Sequence, residues 1–203
     1  LSGTSPVTVE CGSAYTDAGA TASDGCSGNL TSAITITNPV NTKIPGTYTV
    51  RYNVSDAASN AAVEVTRTVN VMDTTAPVIT MLGTSPVVVE CGSAYVDAGA
   101  TAADVCGGNL TSAIAVSNPV NTSVPGTYTV TYNVSDSSSN AAATVSRTVN
   151  VADTAPPVLT LNGSATMVLN LGDSYTELGA TAADACEGNL TGDVVMGGTV
   201  DTN

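Results

Sequence analysis

The chain has 203 residues, of which 17 are acidic and only four are basic, so its formal net charge is −13 at pH 7. Nucleic acids and anionic membrane surfaces are bound through basic patches, and this composition argues against both kinds of partner. The sequence contains no His, Trp or Phe, which leaves no histidine for general acid–base chemistry. Its apolar runs are all too short for a membrane-spanning helix, and we expect no membrane insertion of this segment.

The sequence repeats itself with a period of about 80 residues. The stretch GNLTSAI begins at Gly28 and again at Gly108, and the related GNLTGDV begins at Gly188. A unit of this length suits a small domain that folds alone. We therefore expect three domains arranged as beads on a string, namely repeat 1 (residues 1–73), repeat 2 (74–153) and repeat 3 (154–203). Repeat 1 lacks its first strand and repeat 3 is partial, so we expect the chain to be a window of a longer array.

Strand signals dominate each repeat, and no helical period is sustained. In repeat 1 the apolar stretches PVTVE, from Pro6, and SAITIT, from Ser32, come before the dipeptide Pro45-Gly46. Such a dipeptide is typical of a turn. The sequence therefore predicts short early strands and a corner before a longer strand.

The longer strand is the clearest local pattern of the repeat. TYTVRYNV, residues 47–54, alternates between apolar and polar side chains, which indicates a strand with one buried face. After the turn cluster SDAASN, residues 61–71 return toward it, so the two segments are predicted to form a hairpin. The residues of the second segment that share the apolar phase are Val63, Val65, Val69 and Val71.

The strand count indicates the fold class. About seven short strands in 80 residues, separated by turn signals, are typical of an immunoglobulin-type β-sandwich. We therefore expect an all-β chain of tandem Ig-like antiparallel β-sandwich domains. Because Phe and Trp are absent, the core must be built from Val, Ile, Ala and Tyr. Such a core is small, and a covalent staple would help to stabilise it.

Three motifs together carry a family resemblance. PGTYTV, YNVSD and RTVNV occur in this order in repeats 1 and 2, and the combination resembles the bacterial Ig-like and HYR-like repeats of large surface proteins. The resemblance also covers the present part of repeat 3. It implies an extracellular or cell-surface location and a role as an adhesin, a stalk or an appendage of a secreted enzyme, although a fold of this kind serves many functions.

Paired cysteines at a repeated spacing agree with an oxidising compartment. We expect the disulfides Cys11–Cys26 and Cys91–Cys106, each closing a loop of about 15 residues and contributing roughly 3 kcal/mol. The segment between the two cysteines would then double back on itself. Two alternatives remain, free buried thiols and a zinc site, although two cysteines without histidine are a poor ligand set for zinc.

Repeat 3 departs from the cysteine pattern. It keeps Cys186 but has Leu171 at the position of the first cysteine. We expect Leu171 to replace the sulfur by apolar packing and Cys186 to be an unpaired thiol. That thiol is a harmless remnant, a link to another chain, or the partner of a cysteine beyond this sequence.

Acidic residues recur near the linkers between repeats. Asp73 lies in the first linker, and an Ig-type topology places a linker beside the hairpin that contains Asp136 and Asn140. Oxygen ligands suit a hard cation, so these three residues predict a calcium site, with Asp104 and Asp24 as further candidates. The alternative is turn chemistry, in which Asp and Asn bind their own backbone. No other cofactor is expected.

Two arginines occupy the apolar phase of the last strand of their repeats. A lone buried guanidinium is costly, so a carboxylate should face each one. Glu10 for Arg67 and Glu90 for Arg147 are the predicted partners.

Glycosylation sequons of the form N-x-S/T are numerous in this Thr-rich chain. Asn53 and Asn133 are predicted to face outward and are the candidate acceptors if the source glycosylates asparagine.

The sequence therefore predicts a structural protein with no catalytic residues. We expect an extracellular array that acts as a stalk, an adhesin shaft or a surface fibre, with neighbouring repeats as its main partners. Two alternatives remain. One is a subunit of an assembled filament in which chains exchange strands. The other is an accessory binding module of a secreted enzyme.

Overall fold

The computed structural model describes residues 1–201, which form β-strands and three single 3-10 turns, Thr31–Ala33, Thr111–Ala113 and Thr191–Asp193. None of the helical turns in this range is long and apolar enough to cross a membrane. Spatial proximity divides the chain into two compact units. Unit 1 contains Leu1–Thr80, Ala100–Ala115 and Tyr132–Val145. Unit 2 contains Met81–Gly99, Val116–Thr131 and Ser146–Asn203.

Repeat 1 is built from the strands β1 (Val7–Glu10), β2 (Ser23–Asp24), β3 (Gly28–Asn29), β4 (Thr35–Thr37), β5 (Gly46–Asn53) and β6 (Val65–Met72). One sheet has the order β1-β6-β5-β4, and β2 pairs with β3 separately. The predicted hairpin is β5–β6, in which Tyr48 lies opposite Val69. The sequence placed Val63 among the buried residues of the second strand. Because β6 begins only at Val65, Val63 precedes the strand and is 89 % exposed.

Repeat 2 shows both layers of the sandwich. Its seven strands are β7 (Val78–Met81), β8 (Val87–Glu90), β9 (Ala100–Asp104), β10 (Gly108–Asn109), β11 (Ala115–Ser117), β12 (Gly126–Asn133) and β13 (Val145–Ala152). They form a four-stranded sheet, β11-β12-β13-β8, and a three-stranded sheet, β10-β9-β7. The predicted all-β sandwich fold is confirmed.

Repeat 3 contributes one three-stranded sheet within the described residues. Its strands are β14 (Val158–Leu161), β15 (Ala180–Asp184) and β16 (Gly188–Asn189), in the order β14-β15-β16. In the antiparallel pairing of β14 with β15, Val158 lies opposite Ala183. This sheet repeats the arrangement of β7, β9 and β10.

The strand that ends just before the first cysteine, β1 in repeat 1 and β8 in repeat 2, runs parallel to the last strand of its repeat, whereas the sequence predicted antiparallel pairs. Val7 lies opposite Val69 and Glu10 lies opposite Met72, so β1 and β6 point the same way. Strands β8 and β13 are paired in the same manner. The backbone N–H of Cys11 continues this ladder by donating to the Met72 carbonyl at 2.7 Å. Cys11 therefore lies at the end of repeat 1 that adjoins repeat 2.

The core of repeat 1 is small and is built from Val, Ile, Ala and Tyr, as predicted. Val50, Tyr52 and Val69 form its buried centre. Burying a side chain of the size of valine contributes roughly 1.5–3 kcal/mol, and β5 and β6 supply all three of these residues. Partly buried hydrophobic residues from the rest of the repeat pack around them, namely Val9, Tyr15, Ala20, Ile34, Val40 and Tyr48.

The buried arginine of repeat 1 has a carboxylate partner, but not the predicted one. Arg67 is 1 % exposed and forms an ion pair with Asp17. The Asp17 carboxylate also accepts hydrogen bonds from the hydroxyls of Tyr15, at 2.9 Å, and Tyr52, at 2.7 Å. Glu10 does not take part because it lies at the end of β1 and bonds the linker instead.

Repeat 2 has the same arrangement around its own arginine. Arg147 is 1 % exposed and lies 3.1 Å from the Asp97 carboxylate, while its guanidinium also donates to the carbonyl of Gly99 at 3.3 Å. The predicted partner, Glu90, again bonds the following linker. The recurrence identifies these ion pairs as part of the core of repeats 1 and 2.

Candidate functional site

The disulfides join consecutive repeats instead of closing loops inside them. Cys11 is bonded to Cys106 and Cys91 to Cys186, each pair being separated by 95 residues in sequence. The predicted pairs Cys11–Cys26 and Cys91–Cys106 are therefore wrong. The predicted orphan, Cys186, is paired, and the free cysteine of the described residues is Cys26, which is exposed.

The two cysteines of one repeat lie at opposite ends of its sandwich, which explains the pairing. The parallel β1–β6 ladder places Cys11 at the end that adjoins repeat 2. The second cysteine of a repeat lies in the turn that follows β2, β9 or β15, and in repeat 2 this turn lies against the preceding linker. The segment between the cysteines crosses the repeat from end to end, and the prediction that it doubles back was wrong.

The residue that follows the first cysteine must be small. A Cβ atom built on Gly12 would overlap the side chain of Val105, and one on Gly92 would lie 2.6 Å from the carbonyl oxygen of Ala185. Both glycines also have positive φ angles, +80° and +76°, which residues with a side chain rarely adopt. Close packing therefore accompanies each disulfide, against a side chain at Gly12 and against a backbone carbonyl at Gly92.

Glu10 fastens the first linker to the end of repeat 1. Its carboxylate accepts hydrogen bonds from the Thr74 N–H at 2.9 Å, the Thr74 hydroxyl at 2.7 Å and the Thr75 hydroxyl at 2.9 Å. These bonds, led by the Thr74 N–H, lower the pKa of Glu10. Sequence analysis assigned Glu10 to the arginine and missed this role.

Glu90 does the same for the second linker. It accepts hydrogen bonds from the Thr154 hydroxyl at 2.6 Å, the Thr154 N–H at 2.8 Å and the Ala155 N–H at 2.9 Å. These bonds, led by the Thr154 hydroxyl, lower the pKa of Glu90. Repeats 1 and 2 thus share a Glu-Cys-Gly sequence in which each residue has one role. The glutamate binds the following linker, the cysteine forms the disulfide to the next repeat, and the glycine allows close packing beside that disulfide.

Three carboxylates meet beside the first linker. One carboxylate oxygen from each of Asp73, Asp104 and Asp136 lies within 4.8 Å of the others. The sequence named Asp73 and Asp136 as ligands and Asp104 as a further candidate. The Asn140 side-chain nitrogen donates to the Asp136 carboxylate at 2.8 Å and to the Asp73 carbonyl at 3.1 Å. Asn140 thus braces the cluster, and its role as an oxygen ligand stays a prediction.

The electrostatics of this cluster suit a cation. Burial acts to raise the pKa of Asp136, but hydrogen bonds led by Asn140 more than offset it, so that pKa is lowered. Asp104 accepts from the N–H groups of Cys106 and Gly107 through Oδ1, at 2.7 and 2.6 Å. Its Oδ2 is buried without a hydrogen-bond partner. None of the ion pairs found within residues 1–201 reaches the cluster, so its negative charge has no protein counterion.

Turn chemistry, the alternative explanation for these acidic residues, is also present. Asp24 bonds the N–H groups of Cys26 and Ser27, at 2.9 and 2.7 Å, and Asp184 bonds that of Cys186 at 2.7 Å. In all three repeats, the second of the two cysteine positions follows an aspartate by two residues. The carboxylate of that aspartate accepts a hydrogen bond from the N–H of the cysteine and so stabilises the turn. The cluster beside the first linker adds two further carboxylates to such a turn.

The candidate glycosylation sites lie on exposed faces of two strands. The Asn53 side chain donates to Glu64 at 3.0 Å, and the Asn133 side chain accepts from the Thr144 hydroxyl at 2.6 Å. Their outward position agrees with the strand phase, and modification of either residue stays a prediction.

A family model places the chain among known proteins. A family model described as "Bacterial surface protein, Ig-like domain" matches residues 1–71, 79–151 and 159–203. No curated protein matches the chain. A solved Clostridium perfringens structure is titled "The structure of CBM51-2 in complex with GlcNAc and INT domains from Clostridium perfringens ZmpB" and aligns at 26 % identity with a TM-score of 0.31. That alignment covers 44 % of this chain and spans 21 % of the solved chain.

Proposed function

The chain belongs to the family of bacterial surface Ig-like domains, and we propose that it is a load-bearing part of an extracellular stalk. The observation that carries this proposal is the staggered pairing of the cysteines. Each first cysteine bonds the second cysteine of the following repeat, so that disulfides run from repeat to repeat. The family and the disulfides both agree with a location outside the cell. The proposal assigns no catalytic step to the chain.

Staggered disulfides give the array a short covalent path. Tension applied at the two ends passes from residue 1 to Cys11, across to Cys106, back to Cys91 and across to Cys186. Only about 40 residues lie on this path, so the fully extended length of the oxidised chain is about 150 Å. Once the disulfides are reduced, about 200 residues can extend, to a length of about 700 Å. The rest of each repeat is shielded from the load.

Non-covalent contacts support the same role. Glu10 and Glu90 hold the two linkers against the ends of the repeats that precede them. Linkers fixed in this way limit the freedom of the chain between repeats, and Gly12 and Gly92 allow close packing beside each disulfide. Each repeat junction therefore combines a covalent bond with close packing and hydrogen bonds.

Single-molecule stretching of the oxidised chain, held at its two ends, tests this proposal. We expect a final length of about 150 Å for the oxidised chain and about 700 Å after reduction. If the disulfides instead lay inside repeats, the oxidised chain would extend to about 600 Å, because only two loops of about 15 residues each would be kept from extending. Cys26→Ser is the matched control and should leave the oxidised length unchanged. A length near 600 Å would refute the load path.

We also propose that Asp73, Asp104 and Asp136 bind Ca²⁺ and stiffen the first junction. Three carboxylates within 4.8 Å and the unpartnered buried Oδ2 of Asp104 support this assignment. Carboxylate oxygens are the ligands that Ca²⁺ prefers, and extracellular calcium modules have dissociation constants of about 10⁻⁴–10⁻³ M. A cation here would neutralise the charge of the cluster and tie the linker to repeat 2.

Thermal unfolding with Ca²⁺ and with a chelator tests the calcium site. Ligand at about 100 times its dissociation constant stabilises the folded state by about 2.7 kcal/mol. Asp104→Asn should abolish the calcium-dependent gain while keeping the turn hydrogen bonds of Oδ1. Asp24→Asn makes the same change in a turn that is not part of this cluster, and it should keep the gain. The assignment fails if roughly 10 mM Ca²⁺, well above that range of constants, raises the melting temperature no more than an equal concentration of NaCl.

A further inference from the structure

The two disulfides close loops that overlap in sequence. One loop runs from Cys11 to Cys106 and the other from Cys91 to Cys186, so residues 91–106 lie inside both. Cutting one peptide bond inside such a loop opens the loop but does not separate the two parts of the chain. Every peptide bond between Cys11 and Cys186 lies inside at least one loop. A single cut anywhere in this range therefore leaves the chain in one covalent piece.

Most of this range also lies off the load path. Tension crosses directly from Cys11 to Cys106 and returns to Cys91, so residues 12–90 do not carry it. Residues 107–185 are bypassed in the same way by the second disulfide. A cut in either stretch should therefore leave the length of the load path unchanged, whereas a cut in an array without such bonds would sever it.

Three of the four basic residues, all of which lie within residues 1–201, are closed to a protease that cleaves after Lys or Arg. Arg67 and Arg147 are each 1 % exposed. Arg51 is exposed, but it lies on β5, which is paired with β4 on one side and with β6 on the other. A strand that is paired on both sides must lose these pairings by local unfolding before it can be cleaved.

The fourth basic residue, Lys43, is exposed and lies in the turn between β4 and β5. Exposed turns are the preferred sites of proteolytic nicking. Local hydrogen bonds hold this turn, among them those from the Lys43 N–H to the Asn41 side chain at 3.0 Å and from the Gly12 N–H to the Thr42 carbonyl at 2.7 Å. A local opening that breaks such bonds exposes the Lys43–Ile44 peptide bond without unfolding β5.

The strands on the two sides of this peptide bond are paired with each other. Strand β4 precedes the bond and pairs with β5, so that Ile36 lies opposite Tyr52. Strand β1 also precedes the bond and pairs with β6. The Cys11–Cys106 disulfide keeps both fragments in one molecule, so the strands cannot diffuse apart. A chain cut at this bond should therefore keep repeat 1 folded.

We infer that the array tolerates proteolytic nicking and that the Lys43–Ile44 bond is the site at which a trypsin-like protease nicks the folded chain. Hydrolysis adds one water to this bond, giving a carboxylate at Lys43 and an ammonium group at Ile44, and leaves both disulfides unchanged. The nicked chain keeps its covalent continuity and the length of its load path. The inference rests on the proposed stalk and adds resistance to severing to its role.

Digestion of the folded, oxidised chain with trypsin tests the inference, after Cys26 has been alkylated so that its thiol cannot exchange with the disulfides. Under denaturing conditions without reduction we expect one species, heavier than the alkylated chain by one water. Reduction should release residues 1–43 and 44–203. The matched control is Lys43→Ser, which copies Ser123 at the same position of repeat 2 and should leave the chain uncut.

The variant Ser123→Lys extends the test to repeat 2. Ser123 is exposed and lies in the equivalent turn, where its N–H donates to the Asn121 side chain at 3.0 Å, as that of Lys43 does to Asn41. Trypsin should cut this variant after both positions, and the three fragments should stay joined until they are reduced. Disulfides inside repeats would instead release all three fragments without reduction.

Stretching the nicked chain measures its load path, and we expect a length of about 150 Å, as for the uncut chain. The inference is overturned if the folded chain resists cleavage after Lys43 while the reduced, unfolded chain is cut there. It is also overturned if trypsin goes on to cut at Arg51 and Arg67, because repeat 1 would then have unfolded. Neither result changes the stretched length of the uncut chain, so the load path would stand. Separation of the fragments without reduction would overturn both the inference and the load path.

Discussion

Replacing Cys11 by serine tests the staggered pairing on which the proposed stalk depends. The Cys11–Cys106 bond closes a loop with a sequence separation of 95 residues. In the chain-entropy description a loop of this size contributes about 4.7 kcal/mol, compared with roughly 3 kcal/mol for a loop of 15 residues. We expect Cys11→Ser to lower the free energy of unfolding by about 4 to 5 kcal/mol at this junction.

Urea unfolding followed by tyrosine fluorescence measures the loss, and alkylation followed by peptide mapping identifies the free thiols. The wild-type chain should be labelled at Cys26 alone, and Cys11→Ser should be labelled at Cys26 and Cys106. Cys26→Ser is the matched variant and should unfold like the wild type, because its sulfur makes no bond.

The outcome that would refute this reasoning is equally specific. If Cys11 were bonded to Cys26, the two serine variants would lose the same stability. The label would then appear at Cys26 in one variant and at Cys11 in the other. Such a labelling pattern would show that no disulfide joins repeat 1 to repeat 2, and this conclusion would not depend on the measured free energies of unfolding.

Three further predictions follow from the contacts. Asp17→Asn removes the carboxylate that faces the buried Arg67 and should cost about 3–5 kcal/mol in urea unfolding, whereas Glu64→Gln, at an exposed ion pair, should cost far less. Burial acts to raise the pKa of Asp17, but hydrogen bonds from two tyrosines and a backbone N–H, with the Arg67 charge, lower it overall. Its contribution is therefore complete above the unfolded value of about 3.9 and lost as pH falls below it, so the acid loss of stability should flatten in Asp17→Asn. Gly92→Ala should hinder oxidation to the second disulfide because its Cβ would meet a facing carbonyl, while Gly172→Ala, with a similar φ and open space, should not.

The local parts of the fold were predictable because their signals are local. Strict alternation of apolar and polar residues fixed the faces of β5, and the structure buries Val50 and Tyr52 as that alternation requires. The start of β6 was less clear, because Val63 shares the phase of the strand but precedes its first residue, Val65. Alternation gives the phase of a strand, whereas its ends depend on the partner strand.

The cysteine partners were not predictable from spacing, because two schemes fit the same sequence. Repeats 1 and 2 each have both cysteines, and repeat 3 has only Cys186. Pairing inside repeats leaves Cys186 alone, whereas pairing between consecutive repeats leaves Cys26 alone. The choice depends on the parallel pairing of β1 with β6, which is a non-local feature and places Cys11 far from Cys26.

The acidic cluster was partly predictable for a related reason. The topology of an Ig-type sandwich places the linker beside a hairpin of the next repeat, and Asp73 does meet Asp136. Asp104 joins them because the turn of the second cysteine faces the same linker. The position of that turn is the fact that also decides the disulfide, so a correct cysteine pairing would have placed Asp104 among the first candidates.

The change at the first-cysteine position of repeat 3 acquires a mechanical meaning from this pairing. Cys11 and Cys91 are 5 % and 1 % exposed, whereas Leu171 is 86 % exposed and does not take over the buried place of the sulfur. Because Leu171 cannot form a disulfide, repeat 3 has no cysteine at the position that cross-links repeats 1 and 2 to the next repeat. Load that reaches Cys186 is therefore carried onward by the backbone that follows Cys186. Under high tension the part of repeat 3 that follows Cys186 should unfold and lengthen, while the cross-linked segment between Cys11 and Cys186 keeps its short path. A single substitution in a repeat thus places an extensible segment next to an inextensible one.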